Sequence, residues 1–309
     1  MPLFRTPVVL PPQSVSISPK TSLLFVGSCF AEEVGKRAKT YGLQATSNPT
    51  GTLYNPESIL LTLQRWQHNA YTSADDLFKG SDELWHSRFH NSLADARTKE
   101  ECLERCLTAD KQGIKAFREA AVILITWGTN RLYVDNETKQ VLANCHKQPP
   151  QFYCEQTQTT QEIARHWISY LQCLPAEKKV VFTVSPYRYK KYGLHGNQLA
   201  KSALLLAIDE ICNALPKRCA YFPAYEIVLD ELRDYRFYAQ DMLHVSPVAA
   251  DYVWEQFQSW ALTPEALSYS AKWKKIAQRL QHVPRDAQSE AYKHFQEETK
   301  RLIETTKND

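Results

Sequence analysis

Short apolar runs that end in small or polar residues recur along the chain. Residues 23–26 are all apolar and lead into Gly27-Ser28-Cys29, after which amphipathic spacing begins. Residues 121–127 and 179–185 have the same character, and the run 121–127 is followed by Gly128-Thr129-Asn130. Continuous apolar runs of this length are typical of buried parallel strands. We therefore predict three central strands whose carboxyl ends carry small and polar side chains.

Helical spacing separates these strands. The predicted helices cover residues 30–41, 57–67, 99–118, 157–173, 198–215 and 248–260. A strand pair is predicted within 75–91, a hairpin over 131–144 and a short strand at 220–223, whereas 46–56 is rich in turn formers and is predicted to be a fixed loop. Alternation of strand, loop and helix predicts an α/β protein with a parallel sheet covered on both faces.

The last part of the chain has a different character. Residues 264–281 and 287–306 are charged and helical in spacing, with aromatic residues at Tyr269, Trp273, Tyr292 and Phe295. Such a stripe usually packs on its own core or on a partner subunit. We predict a main domain over residues 1–262 and a charged helical extension over 263–309, which could serve as a homo-oligomerisation element.

Composition narrows the partners and the compartment. Among 309 residues, 37 are basic and 34 acidic, so the net charge is only +3 and gives no reason to expect nucleic acid or a membrane surface as a partner. Residues 1–20 contain no continuous apolar region of the length found in a secretory signal, and no run approaches the roughly 20 apolar residues of a membrane span. Eight cysteines form no CxxC pair, which disfavours a zinc ribbon or a redox dithiol. The expected location is the cytoplasm.

Two stretches carry candidate chemistry. Ser28 lies at the first strand-to-helix turn, where it is either a nucleophile or only an N-cap of the helix. Asp241 precedes His244 by three residues just before the predicted helix 248–260. In a turn, such an Asp can hold imidazole Nδ1 and leave Nε2 free to accept a proton, but the pair could also be a helix cap beside a solvated histidine.

The histidines do not form a metal-binding motif. Candidates are His86, His90, His146, His195 and His244, yet none lies in an HExxH pattern or beside a CxxC pair. We therefore predict chemistry without a metal and without another cofactor.

The motifs together resemble a known family. GSCFA at residues 27–31 is similar to the signature of the GSCFA domain family, a branch of the SGNH (GDSL-like) hydrolase superfamily. The resemblance continues in order through NPTGTLYNP (48–56), NCHK (144–147), SPYR (185–188), HGNQLAK (195–201), YFPAYEI (221–227) and DELRDYRFY with DMLHVSP (230–247). It covers roughly the first 260 residues, and its separated blocks make it specific.

The resemblance implies a flavodoxin-like, three-layer α/β/α sandwich with Ser28 as nucleophile and Asp241–His244 as its acid–base pair. The superfamily takes oxyanion donors from a Gly and an Asn in further blocks, which correspond to Gly51 and Asn130 here. The Ser28 and Gly51 backbone N–H groups and the Asn130 amide would converge on a developing oxyanion. The sequence departs from the superfamily pattern at the residue after Ser28, which is Cys29, and at the residue after Asn130, which is Arg131.

The expected function is that of an SGNH-like serine esterase or acyltransferase. Its substrates would be small acyl esters, and superfamily analogy extends these to O-acetyl groups on a carbohydrate. Candidate substrate-binding residues lie in the family blocks and are Asn144, His146, Arg188, His195 and Asn197. The alternatives are a non-catalytic binding or scaffold protein that retains the fold, and thiol chemistry at Cys29.

Overall fold

Strands and helices alternate along residues 5–286 and 288–308, which are the residues described by the computed structural model. The strands are β1 (Leu23–Gly27), β2 (Ala45–Ser47), β3 (Leu77–Lys79), β4 (Trp85–Ser87), β5 (Val122–Trp127), β6 (Arg131–Asp135), β7 (Val141–Leu142), β8 (Tyr153–Thr157), β9 (Lys179–Val184) and β10 (Cys219–Tyr221). The helices are α1 (Cys29–Thr40), α2 (Pro56–Gln67), α3 (Lys99–Glu119), α4 (Thr160–Gln172), α5 (Gly193–Ala214), α6 (Ala224–Glu226), α7 (Pro247–Ala261), α8 (Pro264–Leu280) and α9 (Glu290–Asn308).

The central sheet has the order β10-β9-β5-β1-β2, and all of its strands are parallel. If the five strands of this sheet are renumbered 1 to 5 along the chain and read from the β2 edge, the order is 2-1-3-4-5, which is the flavodoxin-like arrangement. The order reverses between β1 and β5, and ligands of such sheets bind beyond the carboxyl ends at that point. The predicted α/β fold with a parallel sheet is confirmed.

Helices cover both faces of this sheet and produce three layers. Leu24 and Val26 of β1 belong to the core shared with α2, α3, α4 and α5, whereas Leu23 and Phe25 belong to the core shared with α1 and α7. Because successive strand residues point to opposite faces, a strand buried on both sides needs an unbroken apolar run. Burial on both faces therefore explains the continuous apolar run from which β1 was predicted.

One small antiparallel sheet, one short strand and the starts of two helices differ from the sequence-based predictions, whereas the strand pair predicted within 75–91 is β3 and β4. The predicted hairpin gains a third strand, because β6 pairs with both β7 and β8. As β8 ends at Thr157, α4 begins at Thr160 rather than at 157. Helix α5 begins at Gly193 rather than at 198, and β2 lies partly within the predicted loop 46–56.

The predicted helical extension consists of α8 and α9. Trp273 of α8 lies against the turn after α1, where a Cβ on Gly42 would be 2.2 Å from the indole Cδ1. Arg279 Nε donates to Thr299 Oγ1 at 2.8 Å and joins the two helices. Ala287, the predicted start of the second segment, lies outside the described residues. No helix within 5–286 and 288–308 combines the length and apolarity needed to cross a membrane.

Candidate active site

The turn between β1 and α1 is held against the neighbouring strand. Gly27 has φ +138°, and a Cβ there would be 2.1 Å from the Thr126 carbonyl oxygen. Ser28 N donates to that same oxygen at 3.1 Å, and Ser28 Oγ accepts from Phe30 N at 3.3 Å. Ser28 is thus the N-cap of α1 and is only 1% exposed. Its position at the strand-to-helix turn is the one predicted.

Asn48 fixes the backbone on both sides of this turn. Its Oδ1 accepts from Gly27 N at 2.8 Å, and its Nδ2 donates to Ser28 O at 3.5 Å. Asn48 itself has φ +42°, a conformation that asparagine tolerates better than most residues. The sequence marked this residue only as part of a turn, so its contact with the serine turn was missed.

The three predicted oxyanion donors already bond to protein groups. Ser28 N donates to Thr126 O, as described above, and Gly51 N donates to Asn48 O at 2.8 Å. Asn130 Nδ2 donates to Gln158 O at 2.8 Å. Only the second N–H of the Asn130 amide is without a partner in the described part of the chain. Binding an oxyanion at this place would therefore require local rearrangement.

Asp241 and His244 form the predicted pair on the loop before α7. His244 Nδ1 donates to Asp241 Oδ2 at 2.5 Å, while Oδ1 accepts the backbone N–H groups of Leu243 and His244 at 2.9 and 3.0 Å. The hydrogen bond from the imidazole lowers the pKa of Asp241 to about 2. No described residue bonds to His244 Nε2, and the imidazole is 49% exposed. The pair is therefore oriented for proton transfer at Nε2.

Tyr187 packs against the imidazole of this pair. Its ring centroid is 4.5 Å from that of His244. Burial raises the pKa of Tyr187, and the Asp241 carboxylate adds to the increase. Within residues 5–286 and 288–308, no hydrogen bond joins Ser28 to His244. Tyr187 was not singled out from the sequence, although it lies in the SPYR block.

Lys201 has a buried amine beneath the same edge of the sheet. It is 1% exposed, and its Nζ donates to Gly128 O at 2.7 Å and to Ser185 O at 2.8 Å. Burial lowers the pKa of Lys201 to about 7, and the nearby Cys29 opposes part of this shift. Lys201 therefore ties the ends of β5 and β9 together. The available sequence signal was its place at the end of the HGNQLAK block, 195–201.

Replacing Lys201 by methionine should change how stability depends on pH. Between pH 7 and the ordinary lysine pKa of roughly 10.4, the unfolded chain holds a proton on this amine that the folded chain has lost. Folding stability then rises with pH, by up to about 1.4 kcal/mol for each unit. We expect the unfolding free energy of wild type, relative to Lys201→Met, to increase from pH 7 to pH 9 in urea titrations. Lys111→Met, at an exposed position, should show no such increase; a flat difference for Lys201→Met would contradict the lowered pKa.

A cleft of about 450 Å³ lies beside the Asp241–His244 loop. Two of the predicted substrate-binding residues, Arg188 and Asn197, line it, together with Tyr225, Tyr235 and Tyr238. Asn197 Oδ1 accepts from Tyr189 N at 2.9 Å, so this side chain also holds the SPYR segment. The cleft is lined by neither Ser28 nor His244.

The other three candidates lie elsewhere. His195 is exposed in the first turn of α5, and its imidazole has no hydrogen-bond partner in the described part of the chain. Asn144 Oδ1 accepts from His146 N at 3.1 Å. His146 is buried beside His86 and Asp95, and the donor atoms of these three residues lie within 4.8 Å of one another. This triad is the group among the described residues that could hold a metal ion, and the sequence did not associate its members.

The fold and the site define a flavodoxin-like α/β sandwich with a serine turn and an exposed Asp–His pair beyond the strand ends. A family model of the GSCFA family matches residues 22–257. The chain belongs to the GSCFA family. Comparisons with curated proteins and with solved structures found no match.

Proposed function

We propose that this protein is an SGNH-like serine hydrolase or acyltransferase acting on small acyl esters. The observation that carries the proposal is the Asp241–His244 pair, whose Nδ1–Oδ2 bond of 2.5 Å fixes the imidazole and leaves Nε2 unbonded within the described residues. A carboxylate in this role holds the tautomer and stabilises the imidazolium that forms. A solvated helix cap has no need of an oriented Nε2.

In the proposed reaction, Ser28 Oγ attacks the ester carbonyl and His244 Nε2 accepts the hydroxyl proton. His244 then donates this proton to the leaving alkoxide, and water or an acceptor hydroxyl resolves the acyl-serine. Reaction requires His244 to reach Ser28, which is buried in the free protein. Catalytic hydrogen bonds are often long in free enzymes and tighten only with substrate, and Tyr187 is the side chain whose movement would open this approach.

The competing thiol chemistry is disfavoured by the environment of Cys29. Burial raises the pKa of the Cys29 thiol, and the nearby Lys201 reverses only part of the increase. A thiol must ionise to act as a nucleophile, so a raised pKa disfavours Cys29 in that role.

The cleft beside the pair suits an uncharged polar acceptor. Tyr235 and Tyr238 each lie 5.4 Å from the Arg188 guanidinium, and Asp230 and Asp234 line the same cleft. Aromatic side chains combined with a few polar groups are the usual lining of a small-molecule site, with which an O-acylated carbohydrate as the substrate class is compatible. The cytoplasm is the proposed location, with which the eight free cysteines agree.

One observation favours a second function, that of a non-catalytic binding protein. Ser28 is buried, and the N–H groups of Ser28 and Gly51 both bond to backbone carbonyls. A fluorophosphonate, which reacts with activated serines, separates the two functions. We expect a single adduct on Ser28; absence of an adduct, together with no turnover of short esters, would favour binding without catalysis.

A further inference from the structure

His86, Asp95 and His146 form a buried cluster that is separate from the serine turn. His146 is distant in sequence from the other two residues. The side chains of the two histidines are 1% and 0% exposed, and that of Asp95 is 13% exposed. The two imidazole rings are 4.7 Å apart, and the Phe78 ring packs against both. The cluster therefore has two nitrogen donors and one carboxylate under an aromatic cover.

The outer nitrogens of both imidazoles have partners that fix the rings. His86 Nε2 is 2.9 Å from Asp82 Oδ1, and His146 Nε2 is 2.9 Å from the Ser87 carbonyl oxygen. Metal-binding histidines usually donate their second N–H to a carboxylate or a backbone carbonyl in this way. With Nε2 as the donor, the neutral tautomer leaves Nδ1 of each ring, the nitrogen nearer to Asp95, free to bind a cation through its lone pair.

The two Nδ1 atoms and the Asp95 carboxylate lie close together, but they are poorly hydrogen-bonded to one another. His86 Nδ1 is 2.9 Å and His146 Nδ1 3.1 Å from Asp95 Oδ1. Yet both His86 Nδ1 and Asp95 Oδ1 are buried without a hydrogen-bond partner, because the ring N–H direction does not meet the oxygen. The remaining contact, His146 Nδ1 to Asp95 Oδ2, is 3.5 Å long. Buried polar atoms without a partner are costly, and a cation placed between these atoms would satisfy them.

We propose that His86 Nδ1, His146 Nδ1 and an Asp95 carboxylate oxygen bind one divalent transition-metal ion. Two imidazoles and one carboxylate are a donor set that zinc prefers, and Fe²⁺ accepts the same set. Donors around tetrahedral zinc at 2.0–2.1 Å are roughly 3.3 Å apart. The distances from the two Nδ1 atoms to Asp95 Oδ1, 2.9 and 3.1 Å, are close to this value.

The ion would join three segments, of which the first two already pair through the antiparallel bridge between Trp85 and Ala96. These are β4, the turn that contains Asp95, and the NCHK loop, where His146 and Lys147 have φ +46° and +56°. Asn91, between the first two segments, donates its N–H to Thr50 O and lies against Gly51. The metal site would therefore stabilise the layer behind the Gly51 loop, whether or not the protein is a hydrolase.

The test is the metal content of the full-length protein, purified without a polyhistidine tag and measured by inductively coupled plasma mass spectrometry. We expect one zinc or iron per chain, or uptake of one zinc by chelator-treated protein. Asp95→Asn should abolish binding. Asp110→Asn is the matched control because Asp110 is also a buried partner of a histidine, His90, at 3.3 Å; it should retain the metal.

Two further measurements keep the result independent of folding defects. Chelator-treated wild type should acquire visible Co²⁺ absorption when cobalt is added, and added zinc should raise its melting temperature. Asp95→Asn should show neither response while retaining a native circular dichroism spectrum. Absence of metal and of Co²⁺ absorption in wild type would overturn the proposal and leave an ion-pair network. Equal metal loss in Asp110→Asn, or retention in Asp95→Asn, would also overturn it.

Discussion

Replacement of His244 by alanine is expected to lower kcat/KM for a short p-nitrophenyl ester by at least about 10³-fold, with little change in melting temperature. The loss follows from removal of the proposed general base. Stability should be preserved because the imidazole is 49% exposed and contacts mainly Asp241 and Tyr187. His166→Ala is a suitable control, since His166 also meets a carboxylate through Nδ1, at 3.0 Å from Glu57, outside the serine turn.

Asp241→Asn should also lower the rate by orders of magnitude, but by less than the His244 change. The asparagine Oδ1 can still accept the two backbone N–H groups that Asp241 accepts, so the turn should persist while the charge that stabilises imidazolium is lost. If both variants fold, melt normally and keep wild-type turnover, the pair is a structural cap and the proposed mechanism is wrong.

Replacement of Ser28 by alanine is expected to abolish turnover of the same ester, whereas Cys29→Ala should retain much of it. Ser28→Ala also removes the cap on Phe30 N, at a cost of about 1 kcal/mol, so the melting temperature must be measured beside the rate. The Cys29 thiol contributes no nucleophile while burial keeps its pKa high. The reverse pattern of activities would instead assign the chemistry to Cys29.

The fold was predictable where burial is uniform. The residues of β1, β5 and β9 are buried on both faces, or nearly so, and their unbroken apolar runs revealed them. β8 was missed because it is an edge strand of sequence YCEQT that is largely exposed, so neither alternation nor hydrophobicity marked it. The first turn of α5 was missed because Gly193 to Asn197 includes two glycines, which are poor helix formers.

The candidate site was predictable only where its parts are local in sequence. Asp241 and His244 are three residues apart, and one turn brings them together. Asn48 reaches Gly27 across 21 residues, and His146 reaches Asp95 across 51, through tertiary packing that no spacing pattern encodes. The occupied oxyanion donors were equally invisible, because their acceptors lie on neighbouring segments.

The central claim, that Ser28 is an activated nucleophile, is tested most directly by locating a fluorophosphonate adduct by mass spectrometry. Intact-mass measurement gives the number of adducts, and peptide mapping gives the residue. We expect one adduct on Ser28 in wild type and in Cys29→Ala, none in Ser28→Ala, and strongly slowed labelling in His244→Ala. An adduct on another residue, or labelling that persists in Ser28→Ala, would contradict the claim.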